Sequence, residues 1–215
     1  MEPLVDPRIE HYAVEHSSPE PRYLAELAEE TSASTNFPQM MVGPLEGEFL
    51  KFLVKVTKPR LVLEIGTFTG YSSLCMAAGL GPQAKIITCE IDERHAEIAN
   101  RHISLSPYSS SIEVRVGPAA KTIAALDGPF DFVFIDADKA SYVEYYEAVL
   151  PKLSAEGMIA VDNVCWSGKV VSDDNDPDTV AIREFNDHIR DDDRVEKVML
   201  TVRDGLTLIR HRQLS

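Results

Sequence analysis

The stretch FVFIDADKASY, residues 132–142, ends an apolar run on Asp136, Asp138 and Lys139. A second stretch, GMIAVDNVCW, residues 157–166, ends one on Asp162 and Asn163. Asp136, Asp162 and Asn163 offer oxygen ligands only, with no His or Cys among them. Such a set suits a hard cation, and Mg²⁺ binds through a few protein oxygens while keeping its other positions for water or substrate. Lys139 lies three residues past Asp136, where a short turn returns it to the same place. A lysine beside a cation is open to a lowered pKa and to work as a general base. The same residue types also have ordinary uses: Asp and Asn fill caps and turns, and a lone lysine is commonly a surface residue. That two apolar runs end the same way weighs for a site. Trp166, the one tryptophan, either packs against an aromatic substrate or anchors its loop. Asp138 has no role that its position assigns.

A third stretch, EIGTFTG, residues 64–70, carries Gly66 and Gly70, which permit a tight turn and a close approach of backbone to a ligand. Phe68 stands where the dinucleotide fingerprint G-x-G-x-x-G needs its second glycine, which weighs against an NAD-dependent oxidoreductase. Glu90 closes the next apolar run, 24 residues after Gly66. An acid there suits hydrogen bonds to ribose hydroxyls, and a solvated carboxylate ahead of a helix is its plain alternative.

These residues act together only if a fold brings strand ends to one edge. Five short runs rich in Val, Ile and Phe, at 61–66, 85–91, 111–116, 130–136 and 157–162, alternate with helix-length segments. Near-continuous apolar strands separated by helices imply a parallel sheet covered on both faces, with ligands beyond the carboxyl ends of its strands. RVEKVMLTV and GLTLIRHR, joined by RDG, read as a closing antiparallel hairpin. The expected class is therefore α/β, with an N-terminal helical segment over about residues 1–58 and one domain over 1–215. Within that segment Leu24 and Leu27 share a helix face, and Pro44 suits a first helical position. SDDNDPD, residues 172–178, reads as a solvated, mobile loop, with Asp178 capping the helix that follows. It does not match a calcium loop, because Asp178 stands where that loop needs glycine. His95 and His102 read as surface or helix-packing residues.

Composition narrows the partners. The 215 residues carry 21 basic and 35 acidic side chains, a net charge of −14, so neither nucleic acid nor an anionic membrane is an expected partner. Three cysteines without a CxxC fit a reduced, cytoplasmic setting. The acidic start MEPLVDPRIEHY does not read as a signal peptide, and no apolar run approaches the ~20 residues of a membrane span.

Taken in order, LVLEIGTFTGYSSL, ITCEID, FDFVFIDADKASY, VDNVCWSGKVV and DGLTL resemble the cation-dependent O-methyltransferases of the caffeoyl-CoA and catechol type, over about residues 37–211. The resemblance implies a Rossmann-like class I methyltransferase fold: a seven-stranded, mostly parallel sheet with an antiparallel last strand and helices on both faces. It implies S-adenosylmethionine as methyl donor, with Glu64, Gly66, Thr67 and Ser72 along its methionine, Glu90 at its ribose and Ala119 near its adenine. Met40 and Val42 would close over it, and Asp136 would count among its contacts. It matches Asp136, Asp162 and Asn163 to the ligands of a divalent cation, and Lys139 to the catalytic base. Lys139, Asn163 and Trp166 would face a small aromatic diol. The absence of a basic cluster for coenzyme A phosphates favours that diol over a caffeoyl-CoA-type ester. Homodimers are common in this family. A non-catalytic binding protein on the same fold is the rival reading, and the intact set Asp136, Lys139, Asp162 and Asn163 argues against it.

Overall fold

A computed structural model describes residues 4–212. Seven strands form one sheet in the order β3-β2-β1-β4-β5-β7-β6. They are β1 (Leu61–Ile65), β2 (Lys85–Glu90), β3 (Ile112–Val116), β4 (Phe130–Ile135), β5 (Leu153–Asp162), β6 (Val195–Leu200) and β7 (Leu206–His211). The pairs β1–β2, β2–β3, β1–β4 and β4–β5 are parallel. β7 inserts between β5 and β6 and runs antiparallel to both. The expected closing hairpin thus exists, but its second strand, not its first, is the one that meets β5. Strand order reverses between β1 and β4, and the crevice beyond the carboxyl ends there is where open α/β sheets bind ligands.

Eight helices accompany the sheet among the described residues: α1 (Pro7–Glu15), α2 (Arg22–Ser34), α3 (Gly43–Thr57), α4 (Tyr71–Ala77), α5 (Glu93–Leu105), α6 (Ala119–Ala125), α7 (Tyr142–Val149) and α8 (Pro177–Arg190). Side chains alternate along each strand with period two, so one strand feeds both faces. Val62, Phe132 and Phe134 pack with Leu27, Leu50, Val54 and Leu74 from α2, α3 and α4. Leu63, Val133 and Ile135 pack with Tyr142, Tyr146 and Phe185 from α7 and α8. All three cysteines are buried and unbridged.

Two expectations need correction. β5 begins at Leu153, earlier than the apolar run at 157–162 suggests. The register slips between Phe130 and Phe132, and a side chain on Gly157 would press on Leu153 and on the Phe130 carbonyl. Glycine lets the strand bulge there and still reach Asp162 in register. The second concerns α8, whose N-cap is Asp176, not Asp178. Pro177 has no amide hydrogen to lose and a φ already helical, so the helix starts on it. Asp176 then accepts from the Thr179 amide at 3.1 Å. The loop 172–176 is held by Arg183, which donates to the carbonyls of Lys169, Val170, Ser172 and Asp174.

Candidate functional site

The ends of β4 and β5 are neighbours, and that pairing brings the two sequence patterns together. Asp136 follows β4 and donates its amide to the Ile65 carbonyl at 2.9 Å. Lys139 opens a helical turn that folds back. Its Nζ donates to Asp136 Oδ1 at 3.0 Å, to Asn163 Oδ1 at 2.7 Å and to the Tyr142 hydroxyl at 2.5 Å. The Tyr142 hydroxyl passes its own hydrogen to the Asp162 carbonyl at 3.2 Å. Two oxygens from different strands therefore converge on one positive centre. Asn163 reaches it from the left-handed backbone region, φ 58°, which asparagine tolerates better than most residues. Asp138, unassigned from sequence, accepts from Tyr145 at 2.7 Å and from Ser141, and so pins α7 beside the site.

Asp162 is 1% exposed. Its Oδ1 accepts from the Asn163 amide at 2.6 Å, and its Oδ2 is buried without a hydrogen-bond partner. Burial, and then the nearby Asp136 charge, push its pKa up to about 7 against the pull of Lys139 and Arg203. A buried carboxylate oxygen left over costs folding free energy unless something positive meets it. Two carboxylates and an amide with such an oxygen fit a divalent cation. No cluster of three or more His, Cys, Asp or Glu side chains able to hold a metal exists among the described residues, so this mixed set is the candidate.

A cavity of about 420 Å³ opens at these strand ends. Gly66, Thr67 and Ser72 line it from the turn after β1, and Asp136, Lys139, Asn163 and Trp166 from the other side. Met40 and Val42 line it from the segment before α3. The Trp166 ring lies 5.6 Å from Lys139 Nζ. Phe37, Phe68 and Tyr71 add aromatic surface. The two glycines of the turn owe their identity to packing. A side chain on Gly66, φ 104°, would stand 1.8 Å from the Asp136 carbonyl oxygen, and one on Gly70, φ 92°, would press on Ala99 of α5.

Three residues of the expected cofactor set stand off the cavity wall. Ala119 opens α6, packed against the core. Glu64 is fully buried, takes a hydrogen bond from Ser73 and keeps Oε1 without a partner. Burial pushes its pKa up to about 7, opposed by the hydroxyls of Ser72, Ser73 and Thr88. Glu90 accepts from the amides of Phe68 at 2.6 Å and Asp92 at 2.9 Å, so it fixes the turn that covers it. Burial raises its pKa, against those backbone bonds.

Arg203 and Glu46 join the site without having been expected from the sequence. Arg203 lines the cavity from the β6–β7 turn and donates to Glu46 Oε2 at 3.2 Å. Glu46 is 1% exposed, and burial beside Asp162 raises its pKa well above the usual range despite Arg203. Glu46, Leu50 and Val54 lie four apart on α3, so an acid on an apolar stripe is the signal that would have found it. Arg203, in a polar turn, offers none.

Residues 14–212 match the family model described as O-methyltransferase. The chain is 38% identical over 165 residues to a catechol O-methyltransferase of Mycobacterium tuberculosis, covering 76% of this chain and 74% of that one. It is 35% identical to a caffeoyl-CoA O-methyltransferase of Eucalyptus gunnii, covering 91% and 83%. Among solved structures it resembles an O-methyltransferase of Bacillus cereus in complex with SAH, TM-score 0.88 and 32% identity, covering 95% and 97%. It also resembles the SAH-bound methyltransferase PaMTH1 of Podospora anserina, TM-score 0.90 and 29% identity, covering 96% and 95%.

Proposed function

The chain belongs to the O-methyltransferase family, and on that premise we propose that its acceptor is a small aromatic ring with two adjacent hydroxyls, bound beside a divalent cation. It is an S-adenosylmethionine-dependent O-methyltransferase. The observation that carries the proposal is the convergence of Asp136 Oδ1 and Asn163 Oδ1 on a single positive centre, with the unpartnered Oδ2 of Asp162 one residue before Asn163 in the chain. Asp136, Asp162 and Asn163 would hold the cation. A divalent cation supplies there the charge that orients the two hydroxyls and lowers the pKa of the reacting one.

The other steps belong to the chain's own residues. Trp166 packs the ring of the acceptor. Lys139 takes the proton that the reacting hydroxyl releases, and Tyr142 and Asn163 hold its amine in line. The acceptor oxygen forms its bond to the methyl carbon as the carbon–sulfur bond breaks, and the sulfonium charge is neutralised. Positioning therefore supplies most of the rate. The turn at Gly66–Ser72, with Met40 and Val42 opposite, holds the methyl donor in the cavity. Glu64 stands behind the turn, and Glu90 fixes it. Ala119 stands at the β3 end, on the adenine side.

Lys139 and Arg203 are the cations on the cavity wall, and both are engaged with oxygens of the chain, so neither serves coenzyme A phosphates. This supports a small diol over an acyl-CoA ester. Exposed Phe52 and Val56, one turn apart on α3, support a pairing of two copies. No helix among the described residues is long and apolar enough to cross a membrane. The three unbridged cysteines support a cytoplasmic setting. The test is methyl transfer from labelled S-adenosylmethionine to a panel of diphenols and monophenols, with Mg²⁺ or with chelator. Label should reach adjacent diols only when Mg²⁺ is present. Equal transfer in chelator, or to monophenols, overturns the proposal.

A further inference from the structure

We propose that Arg203 is a positioning residue that clasps the strap 37–42 over the cavity and sets the affinity for the methyl donor without being one of its ligands. This rests on the reading that the cavity holds S-adenosylmethionine. The strap joins α2 to α3 and contributes Phe37, Gln39, Met40, Met41 and Val42 to the cavity wall. Val42 is buried and Met41 packs on the core, which anchors the α3 end of the strap, but little of its own holds the rest. Phe37 and Met40 are exposed, and its internal hydrogen bonds are those of one short turn, Met40 to Phe37 at 3.0 Å and Met41 to Pro38 at 3.2 Å. Segments with few buried contacts open at low free energy.

Arg203 supplies the missing restraint from the far end of the sequence. Its Nη2 donates to the Met41 carbonyl at 2.6 Å and to the Gln39 carbonyl at 3.2 Å, while Nη1 donates to Glu46 at the start of α3. A planar guanidinium satisfies three acceptors in fixed directions, which a lysine ammonium does not. The guanidinium is itself held. Arg203 sits in a turn at φ 50°, and that turn is tied to the chain just past β5. Cys165 donates to the Asp204 carbonyl at 2.9 Å and Val164 to the Gly205 carbonyl at 3.2 Å. The strap on the donor side is thus fastened to the segment that carries Asp162 and Asn163. Arg203 holds the strap, and its neighbours Asp204 and Gly205 hold the segment past β5.

Arg203→Gly tests this, because glycine takes φ 50° without strain; it removes the clasp together with the charge that faces Glu46 and Asp162. In ligand-free protein, hydrogen exchange at the amides of 37–42 should rise at least roughly tenfold. The dissociation constant of S-adenosylhomocysteine, by calorimetry, should rise roughly 10- to 100-fold, the range for lost hydrogen bonds to a charged donor. In turnover the loss should fall mainly on the KM of the donor. Arg203→Lys should recover only part of the protection, and it replaces the glycine variant if that one does not fold. Unchanged exchange overturns the proposal, and so does raised exchange with unchanged affinity. The double variant Glu46→Gln/Arg203→Gly decides whether Arg203 serves only to neutralise Glu46. Recovery of wild-type exchange and affinity in it overturns the clasp; persistence of the defect supports it. If wild-type protein does not bind S-adenosylhomocysteine, the reading of the cavity fails, while the exchange data still judge the clasp.

Discussion

Glu64 near the end of β1 and Asp162 at the end of β5 are both buried, both keep one oxygen without a partner, and both have their pKa pushed up to about 7. Their surroundings differ. Glu64 faces mainly neutral hydroxyls, from Ser72, Ser73 and Thr88, with the Asp136 charge a weaker influence. Asp162 faces charges, from Asp136, Lys139 and Arg203. A carboxyl among hydroxyls can remain neutral and donate its own proton. A carboxylate among opposed charges is balanced only when the positive ones suffice, and an added cation shifts that balance. The same burial thus sets a structural acid on one strand and, on the metal reading proposed above, a ligand on another. Neighbouring charge decides which, more than burial does.

The largest effect tests the ligand half. Asp162→Asn keeps the shape and removes the charge. It should lower kcat/KM by about 10³-fold or more, the scale of lost charge stabilisation, and abolish the rise in Tm that the metal reading predicts for wild type in Mg²⁺. Glu64→Gln should keep that rise. If both variants respond to Mg²⁺ alike, the two carboxylates are not different in kind.

Lys139→Met comes next. It should lower kcat by about 10²–10⁴-fold, the share of a general base, with a residual rate that climbs with pH. Lys139→Arg should fail too, since guanidinium does not release its proton in this range. Wild-type kcat in Lys139→Met at neutral pH would make Lys139 a bystander.

The acid half is tested by stability against pH. Glu64 titrates higher in the folded chain, up to about 7, than its ordinary value of 4.5. Its favourable contribution is whole below about 4.5 and is lost as the pH climbs to about 7. Glu64→Gln has no such loss. Between pH 4.5 and 7 it should therefore gain on wild type by on the order of 3 kcal/mol in ligand-free urea unfolding. A difference that is the same at pH 5 and pH 8 removes Glu64 from the account.

The smallest effect lies at the α8 cap. Asp176→Ala should cost about 1 kcal/mol by loss of the α8 cap and leave the Mg²⁺ response intact. A changed response would show that the 172–176 loop takes part in the site.

Much of the site was legible because strand ends advertise themselves. A polar residue that closes an apolar run has few reasons to be there, and Asp136, Asp162 and Asn163 all do so. Lys139 was legible from a three-residue spacing. Glu90 was legible as an acid at a strand end, while its two backbone donors, Phe68 and Asp92, were not. Those depend on how the next turn folds. Arg203 was invisible for a different reason: it reaches the site only because β7, not β6, lies against β5. A hairpin motif does not say which of its strands joins the sheet. Gly66 shows the same limit. Its backbone freedom was legible, but the carbonyl pressed against it belongs to Asp136, seventy residues on.

The place of β7 has a consequence for the order of events during synthesis. It is the last of the seven strands to leave the ribosome, yet it is interior to the sheet. Domains fold largely as units while the chain emerges from its N-terminal end. Until residues 203–211 are out, the nascent chain holds β5 as a raw edge, with Asp162 unflanked and the strap unfastened. Such an edge invites pairing with other strands. On the clasp proposed above, the unfinished chain lacks both the charge that faces its buried acids and the fastening of the strap.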